Sequence, residues 1–167
     1  MKLEFRKVRI STEIKQLVKI DRKIFGDDAF EKDQWPDYEA WWILLDGRKI
    51  GSCAFQLHKD FQKNPDKDTN PKRPGTLYIA TTGILPKLQG FGFGKLMKVW
   101  QIVYARHWQF RRVVTNCRKS NKTIIKLNRE LGFTNLMVVP KYYPDPQEDA
   151  VVMELVLSKR SKRSLFP

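Results

Sequence analysis

The sequence predicts a single domain of the α/β class. Its 167 residues match the usual size of one domain and are enough to bury a core. Segments in which every second residue is apolar, as in strands, alternate with segments in which apolar residues recur every three or four positions, as in helices. A glycine-rich stretch at 89–94 separates one such strand from one such helix.

The composition limits the classes of protein to which the chain can belong. The sequence lacks an apolar run of about 18 residues, which a membrane-spanning helix requires, and an apolar signal region near Met1. Its two cysteines, Cys53 and Cys117, do not have the spacing of metal ligands. We expect both thiols to be reduced and buried in a cytoplasmic protein without a metal site.

The chain is strongly basic, with 32 Lys and Arg residues, 18 Asp and Glu residues and a net charge of +14. Such a charge favours binding to a ribosome, a nucleic acid, an acidic peptide or a polyanionic cofactor, although it also serves solubility. The sequence contains no zinc-finger spacing, basic zipper or RNA-recognition signature. A ribosome or another acidic partner is therefore expected from charge alone, and no motif indicates nucleic acid.

The first half of the chain is predicted to contain mostly strands. Asp46-Gly47 lies between two apolar segments and is a strong hairpin signal. Three prolines and many charges in 59–75 indicate a long exposed loop, which is either a lid or an ordinary insertion. The predicted elements are strand 3–10, helix 14–25 ending near Gly26, a loop or short helix over 27–38, and strands 40–45, 50–57 and 76–85.

The second half is predicted to contain two helices and three strands. Asn121 is expected to cap a helix that ends at Gly132. The elements are helix 95–110, strand 112–117, the helix after Asn121, strands 133–139 and 150–157 separated by 140–149, and a basic tail at 158–167. The inward-facing residues are predicted to be Met97, Trp100, Tyr104 and Trp108, widened by Leu96, Val99 and Val103, and, in the following helix, Ile124, Leu127 and Leu131.

The glycine-rich stretch has the composition of an anion-binding turn. Glycine allows backbone N–H groups to approach a ligand, and the first turn of the following helix adds unpaired N–H groups and a positive dipole. Two common phosphate-binding patterns do not fit. Leu96 follows Gly94-Lys95 where a Walker motif needs Ser or Thr. The strand 112–117 also lacks the acidic residue of a dinucleotide-binding fold.

Gln89, Gly92 and Gly94 instead satisfy the pattern Gln/Arg-x-x-Gly-x-Gly/Ala. This pattern resembles the pyrophosphate-binding signature of the GNAT superfamily of acyl-CoA-dependent N-acetyltransferases. The resemblance extends over 76–157, where the chain is similar to the protein N-terminal acetyltransferases of the ribosomal-protein alanine type. It includes Arg118-Lys119-Ser120-Asn121, Leu131-Gly132-Phe133, Lys141-Tyr142-Tyr143-Pro144, Glu148-Asp149-Ala150 and Met153. The implied fold is one mixed, mostly antiparallel sheet flanked by helices, with a splayed central strand pair, over domain 1–157.

The resemblance implies acetyl-CoA as co-substrate and assigns the residues that would bind it. Backbone groups of Ile84, Leu85 and Pro86 would meet the acetyl and pantetheine groups, and an N–H near Ile84 or Leu85 would bind the developing oxyanion. The pyrophosphate would be held by the backbone of Gln89, Gly90, Phe91, Gly92, Phe93 and Gly94. Asn121 would bind the cofactor as well as cap its helix. Three lysines would add attraction for the CoA phosphates: Lys87, Lys95 and Lys98.

The catalytic positions are where this chain departs from the family. Asn116 occupies the place of a family base and cannot act as a general base near pH 7, and Asn128 occupies the place of a family tyrosine acid and can donate a hydrogen bond but cannot serve as a useful acid. Asn128 is expected to face the cofactor channel or a water. Tyr78 is proposed as an acid/base or water-ordering residue, although strand tyrosines are often core residues. Tyr142 and Tyr143 would line the acceptor site. A weaker expectation places four residues on its other wall: Glu31, Asp33, Trp35 and Tyr38.

The predicted activity is transfer of an acetyl group from acetyl-CoA to a primary amine by direct attack in a ternary complex. An α-amine of a protein or peptide is the preferred acceptor. The first alternative is a small-molecule amine or a lysine side chain. The alternative of another class is a CoA-binding or ribosome-associated module with little or no catalysis.

Overall fold

The computed structural model describes residues 1–58 and 75–157. In this part of the chain seven strands form one sheet in the order β1-β2-β3-β4-β5-β7-β6. The strands are β1 (Leu3–Lys7), β2 (Glu39–Leu45), β3 (Arg48–His58), β4 (Thr76–Ile84), β5 (Arg112–Arg118), β6 (Thr134–Pro144) and β7 (Gln147–Val156). The α-helices are α1 (Ile10–Phe25), α2 (Phe93–His107) and α3 (Lys122–Glu130), and short 3-10 turns cover Gly26–Asp28, Trp35–Asp37 and Pro86–Leu88.

The central strands β4 and β5 are parallel, whereas the other neighbouring strands pair antiparallel. Their ladder runs from Thr76–Arg112 to Ile79–Thr115 and stops there. Beyond that point β4 remains paired with β3 as far as Ile84, and β5 remains paired with β7 as far as Arg118. Each strand is thus held by its outer neighbour while the inner edges separate. The predicted splayed central pair is confirmed, and we call the gap between 80–84 and 116–118 the β4–β5 opening.

A bulge marks the start of this opening on β4. Phe55 pairs with Ile79 and the adjacent Ala54 pairs with Thr81, so Ala80 has no residue opposite it on β3. A bulge bends the strand and increases its twist. The bend lies one residue beyond the last pair of the β4–β5 ladder, where it favours separation of the two strands.

The helices cover the two faces of the sheet. On one face α2 and α3 pack on the central strands, in a cluster that includes Ile102, Ile125 and Val113. On the other face α1 packs Leu17 and Ile20 against β2 and β3. At its end, α1 lies so close to β4 that a Cβ on Gly83 would stand 2.3 Å from Ile24 and 2.6 Å from Phe25. Glycine at 83 therefore lets α1 approach the β4–β5 opening.

Several predicted boundaries are corrected. The first strand ends at Lys7 rather than Ile10, because residues 10–13 already belong to α1. The prediction that 140–149 separates the last two strands is wrong. Strand β6 continues to Pro144, and only two residues separate it from β7. Pro140 and Pro144 are tolerated because β6 is an edge strand, where a missing N–H breaks no ladder bond on the open side.

The buried face of α2 also differs from the prediction. Leu96, Val99 and Val103 are exposed instead of widening the buried stripe, and Trp108 at the end of the helix is half exposed. The buried residues of α2 are Phe93, Met97, Lys98, Gln101, Ile102 and Ala105. The sheet-facing side of α2 thus carries a lysine and a glutamine. None of the described helices has both the length and the apolar character needed to cross a membrane. The predicted loop 59–75, apart from Gly75, and the basic tail 158–167 lie outside the described residues.

Asp21 fixes the segment that follows α1. Its side chain is fully buried, and Oδ2 accepts a hydrogen bond of 2.9 Å from the backbone N–H of Phe30. Oδ1 has no hydrogen-bond partner among the described residues. Burial raises the pKa of this carboxyl to about 6, although the Phe30 N–H and the Ser52 side chain oppose the shift.

This raised pKa predicts how stability depends on pH. Between the ordinary pKa of 3.8 and about 6, the folded state holds a proton that the unfolded state has released. The stability contributed by protonated Asp21 is therefore complete below about pH 4 and is lost as the pH rises through about 6. Asp21→Asn retains an acceptor for Phe30 and cannot ionise, so it should stabilise the protein by up to about 3 kcal/mol at neutral pH. The free energy of unfolding of the wild type and Asp21→Asn, measured with denaturant from acid to neutral pH, would test this. The same pH dependence in both proteins would contradict it.

Candidate active site

The β4–β5 opening leaves backbone groups outside the sheet ladder. On β4 these belong to residues 80–84, whose edge toward β5 has no strand partner in the described structure. Two of the neighbouring groups are already used. The N–H of Leu85 donates to Ile50 O at 2.8 Å, and the carbonyl of Ile84 accepts from Gln89 Nε2 at 3.0 Å. The N–H of Leu85 is therefore not available to bind an oxyanion. The sequence named Ile84 or Leu85 as the source of this donor, and the expectation is wrong for Leu85.

The glycine-rich turn follows directly and leads into α2. Gly90 and Gly92 have φ angles of 84° and 85°, a conformation that favours glycine. Apart from their chain neighbours, no atom of residues 1–58 and 75–157 lies within 4 Å of the position that a Cβ would take on either glycine, so the turn borders open space there. Gly92 directly precedes Phe93, the first residue of α2, where unpaired N–H groups and the helix dipole favour an anion. The backbone of this turn thus has the conformation that an anion cradle requires, and binding of an anion here stays a prediction.

Two phenylalanines in this turn have different surroundings. Phe93 is buried in a cluster with Ile84 and Met97, and it anchors the start of α2 to the sheet. Phe91 is 73% exposed. Phe93 can therefore meet a ligand only through its backbone, whereas the side chain of Phe91 is accessible from solvent.

Asn121 caps α3 as expected. Its Oδ1 accepts a hydrogen bond of 3.2 Å from the backbone N–H of Ile124. The side-chain amide nitrogen takes no part in this cap and lies on an exposed residue. Capping therefore leaves the amide donor available to a ligand.

A hydrogen-bonded bridge of three side chains lies at the opening, on the sheet face opposite α2 and α3. Tyr78 on β4 donates its hydroxyl to Asn116 Oδ1 at 2.6 Å. Asn116 Nδ2 in turn donates to the hydroxyl of Tyr143 on β6 at 3.2 Å. The hydroxyl of Tyr142 also lies within hydrogen-bonding range of Tyr78. A phenol oxygen has two lone pairs, so that of Tyr78 can still accept, and the proton of Tyr143 can still be donated. Asn116 thus holds two phenols in fixed positions, a function that the sequence did not indicate.

Both phenols remain protonated at neutral pH. Burial raises the pKa of Tyr78 well above its ordinary value, and the nearby phenols of Tyr142, Tyr38 and Tyr143 raise it further. Burial likewise raises the pKa of Tyr143 to about 12. The raised pKa disfavours a phenolate base at Tyr78 and favours hydrogen bonding and the ordering of water, and its catalytic function stays a prediction.

The neighbouring aromatic residues complete this tyrosine cluster. Tyr142 packs edge-on against Tyr143, with ring centroids 5.0 Å apart. Tyr38 is close enough to Tyr142 for their hydroxyls to interact electrostatically, and its ring lies 4.8 Å from that of Phe30. Four residues were expected on the other wall of the acceptor site. Of these, Tyr38 is part of this cluster, whereas the side chain of Trp35 is completely buried.

Arg118 joins the two sides of the tyrosine cluster. It forms salt bridges with Asp28 at 2.7 Å and Glu148 at 3.4 Å, and its guanidinium lies 4.3 Å above the ring of Tyr143. It also donates to the carbonyls of Asp145 and Pro146 in the β6–β7 turn. One side chain thus ties the turn after α1 to the β6–β7 hairpin. In the sequence Arg118 is visible only as part of the motif that ends at Asn121.

Asn128 lies on the other face of the sheet. It is fully buried, its Nδ2 lies 3.6 Å from the sulfur of Met153, and its Oδ1 has no hydrogen-bond partner among the described residues. Asn128 and the Tyr78–Asn116–Tyr143 bridge are therefore separated by the sheet. The expectation that Lys98 attracts CoA phosphates is wrong, because Lys98 is only 4% exposed and faces the sheet, whereas Lys87 and Lys95 are exposed.

Comparison with known proteins identifies relatives of this chain. The model of the acetyltransferase (GNAT) family matches residues 13–133, which is more than half of the chain. A curated protein from Sulfurisphaera tokodaii, named N-alpha-acetyltransferase, is 27% identical over 152 residues, covering 85% of this chain and 86% of the relative.

Solved structures share the fold over nearly the whole chain. The ribosomal-protein-S18-alanine N-acetyltransferase from Escherichia coli superposes with a TM-score of 0.78 at 17% identity, covering 99% of this chain and 100% of that chain. Arabidopsis thaliana Naa50, in complex with the bisubstrate analogue CoA-Ac-MVNAL, has a TM-score of 0.74 at 17% identity, covering 94% and 100%. At these identities the similarity concerns the fold.

Proposed function

Because this chain belongs to the GNAT family and is an acetyl-CoA-dependent N-acetyltransferase, we propose that its acceptor is the α-amine of a protein or peptide N-terminus. The observation that carries this proposal is the Tyr78–Asn116–Tyr143 bridge, which contains hydrogen-bonding groups but no base. The name of the Sulfurisphaera relative supports the same acceptor class.

The co-substrate supplies the thioester that the amine attacks, and this chain supplies the groups that hold it. We assign the pyrophosphate to the backbone of 89–94 and the start of α2, where Gly90 and Gly92 border open space. The free β4 edge at 80–84 offers backbone groups to the pantetheine, and the amide of Asn121 offers a further donor. Gln89 keeps the turn against β4 through its bond to Ile84.

The acceptor amine enters from the tyrosine cluster in this proposal. The Tyr78 oxygen, whose own proton is donated to Asn116, accepts a hydrogen bond from the amine or from a water next to it. Tyr142 and Tyr143 border the path on the β6–β7 side, and Arg118 holds that side in place. Positioning of a neutral amine, rather than its deprotonation by an enzyme base, is the contribution of these residues.

The state of the nearby carboxylates favours an α-amine over a lysine. Asp28 and Glu148 are both bound to Arg118, and the hydrogen bonds from Ser120 and Arg118 hold the pKa of Glu148 below its ordinary value. An α-amine with a pKa of about 8 is about one-tenth neutral at pH 7, which costs ~1.4 kcal/mol. A lysine amine with a pKa of about 10.4 would cost over ~4 kcal/mol, which a site without a free base does not offset.

A panel of acceptors tests the proposed class. The panel contains a peptide with a free N-terminus, the same peptide with a blocked N-terminus and one internal lysine, and a small diamine, each assayed by release of the CoA thiol. The free N-terminus should react at least about 100-fold faster than the internal lysine at neutral pH, because more of it is neutral. Turnover of the diamine or lysine with an inert N-terminus would contradict the proposal. CoA binding without turnover of any amine would support the weakly catalytic alternative.

Tyr78→Phe tests the proposed function of the phenol. Loss of one hydrogen bond to the amine should lower kcat by about 10-fold. Because the pKa of Tyr78 is raised by burial, the phenol does not titrate near neutral pH, so the inflection of the pH–rate profile should stay in place. Tyr104→Phe is the matched control, since its hydroxyl donates to Glu39 on the other face of the sheet. An unchanged kcat would exclude Tyr78 from the mechanism, and a moved inflection would show that it titrates.

A further inference from the structure

Lys98 is a buried amine on the sheet-facing side of α2. It is 4% exposed, and its Nζ lies 3.4 Å from the hydroxyl of Thr115. Thr115 is the last β5 residue in the ladder with β4, where it pairs with Ile79. The Lys98 amine therefore lies beneath the point at which the β4–β5 opening begins, on the face opposite the tyrosine cluster.

The surroundings of Lys98 do not neutralise its charge. The ionisable groups that act on it are the thiols of Cys117 and Cys53. Both cysteines are free and buried, and burial raises the pKa of Cys53 to about 12 and also raises that of Cys117, so both remain neutral. No salt bridge to Lys98 is present within residues 1–58 and 75–157. A buried ammonium without a carboxylate destabilises a fold, so its presence indicates a function.

Two further polar side chains lie on the same face with atoms that lack partners. Gln101, one turn after Lys98, donates to the hydroxyl of Thr82 at 2.7 Å, but its Oε1 has no hydrogen-bond partner among the described residues. Asn128 Oδ1 is also unpaired, and Asn128 contacts Met153, which pairs with Thr115 across β5 and β7. Gln101 and Asn128 are both completely buried. Buried polar atoms are normally hydrogen-bonded, so this cluster indicates a ligand or ordered water in the opening.

We propose that Lys98 is the proton donor to the sulfur of CoA when the thioester is cleaved. This inference rests on the proposed function, because it places the thioester end of the co-substrate in the β4–β5 opening. It also supplies the acid that Asn128 cannot provide. Burial lowers the pKa of the Lys98 amine to about 8, which leaves it mainly protonated at neutral pH. An acid with a pKa near that of a thiol, about 8.5, is suited to this transfer.

The proton and electron balance of the step is complete. A bond forms between the acceptor nitrogen and the acetyl carbon, and the carbon–sulfur bond breaks with its electron pair on sulfur. The Lys98 ammonium gives a proton to the thiolate, which leaves as the thiol of CoA, and Lys98 becomes neutral. The acetylated nitrogen releases one proton to water, and Lys98 regains one from water.

The thiol of bound CoA reports on this contact without turnover. The ultraviolet absorbance of the thiolate in the CoA complex, with the desulfo-CoA complex as blank, gives the pKa of the bound thiol. An ammonium nearby stabilises the thiolate, so this pKa should be at least about 1 unit lower in the wild type than in Lys98→Met. In parallel, kcat of Lys98→Met should fall about 100-fold with little change in the KM for acetyl-CoA. Lys19→Met, which removes an exposed lysine of α1, should change neither quantity.

The outcomes separate this inference from the proposed function. Equal thiol pKa values in wild type and Lys98→Met, with CoA bound to both, would overturn the assignment of Lys98 and leave the acceptor proposal intact. Absence of CoA binding to the wild type would overturn the cofactor site itself. If Lys98→Met does not fold, Thr115→Val removes the hydrogen-bond partner of Lys98 at similar volume. That variant should raise the thiol pKa and lower kcat in the same directions, and no change in either would also overturn the assignment.

Discussion

The early end of the β4–β5 ladder is the constraint on which the remaining structure depends. Two parallel strands in the centre of a sheet would normally bond along their whole length, but here pairing stops at Ile79–Thr115. The bulge at Ala80 bends β4 away, while β3 and β7 keep the outer edges of both strands paired. The sheet thus opens at its centre without losing its continuity, and backbone groups become available where secondary structure would otherwise use them.

The side chains around the opening are divided between the two faces of the sheet. On one face, Asn116 holds Tyr78 and Tyr143 by hydrogen bonds, and Arg118 ties together the loop and the hairpin that border them. On the other face lies the buried amine of Lys98. An amine entering from one side and a leaving thiol protonated from the other would use both faces, which explains why polar side chains are buried on each.

The sequence predicted the parts of the fold that depend on local signals. The Asp46-Gly47 hairpin, the end of α1 at Gly26 and the Asn121 cap are confirmed, because turn and cap residues act within a few positions. Apolar periodicity does not predict the burial of Lys98 and Gln101, since it places polar residues in solvent. Their burial follows from the position of α2 on the sheet. The Asn116 bridge joins residues from three strands and depends on sheet register, which no local pattern contains.

A crystal structure with CoA and an N-terminal peptide tests the central claim most directly. We expect pantetheine along the β4 edge at 80–84 and pyrophosphate on the backbone of 89–94. We also expect the sulfur within hydrogen-bond reach of the Lys98 amine and the peptide nitrogen beside the Tyr78 hydroxyl. CoA bound elsewhere, or a β4–β5 ladder that continues past Ile79–Thr115 when CoA is present, would contradict it.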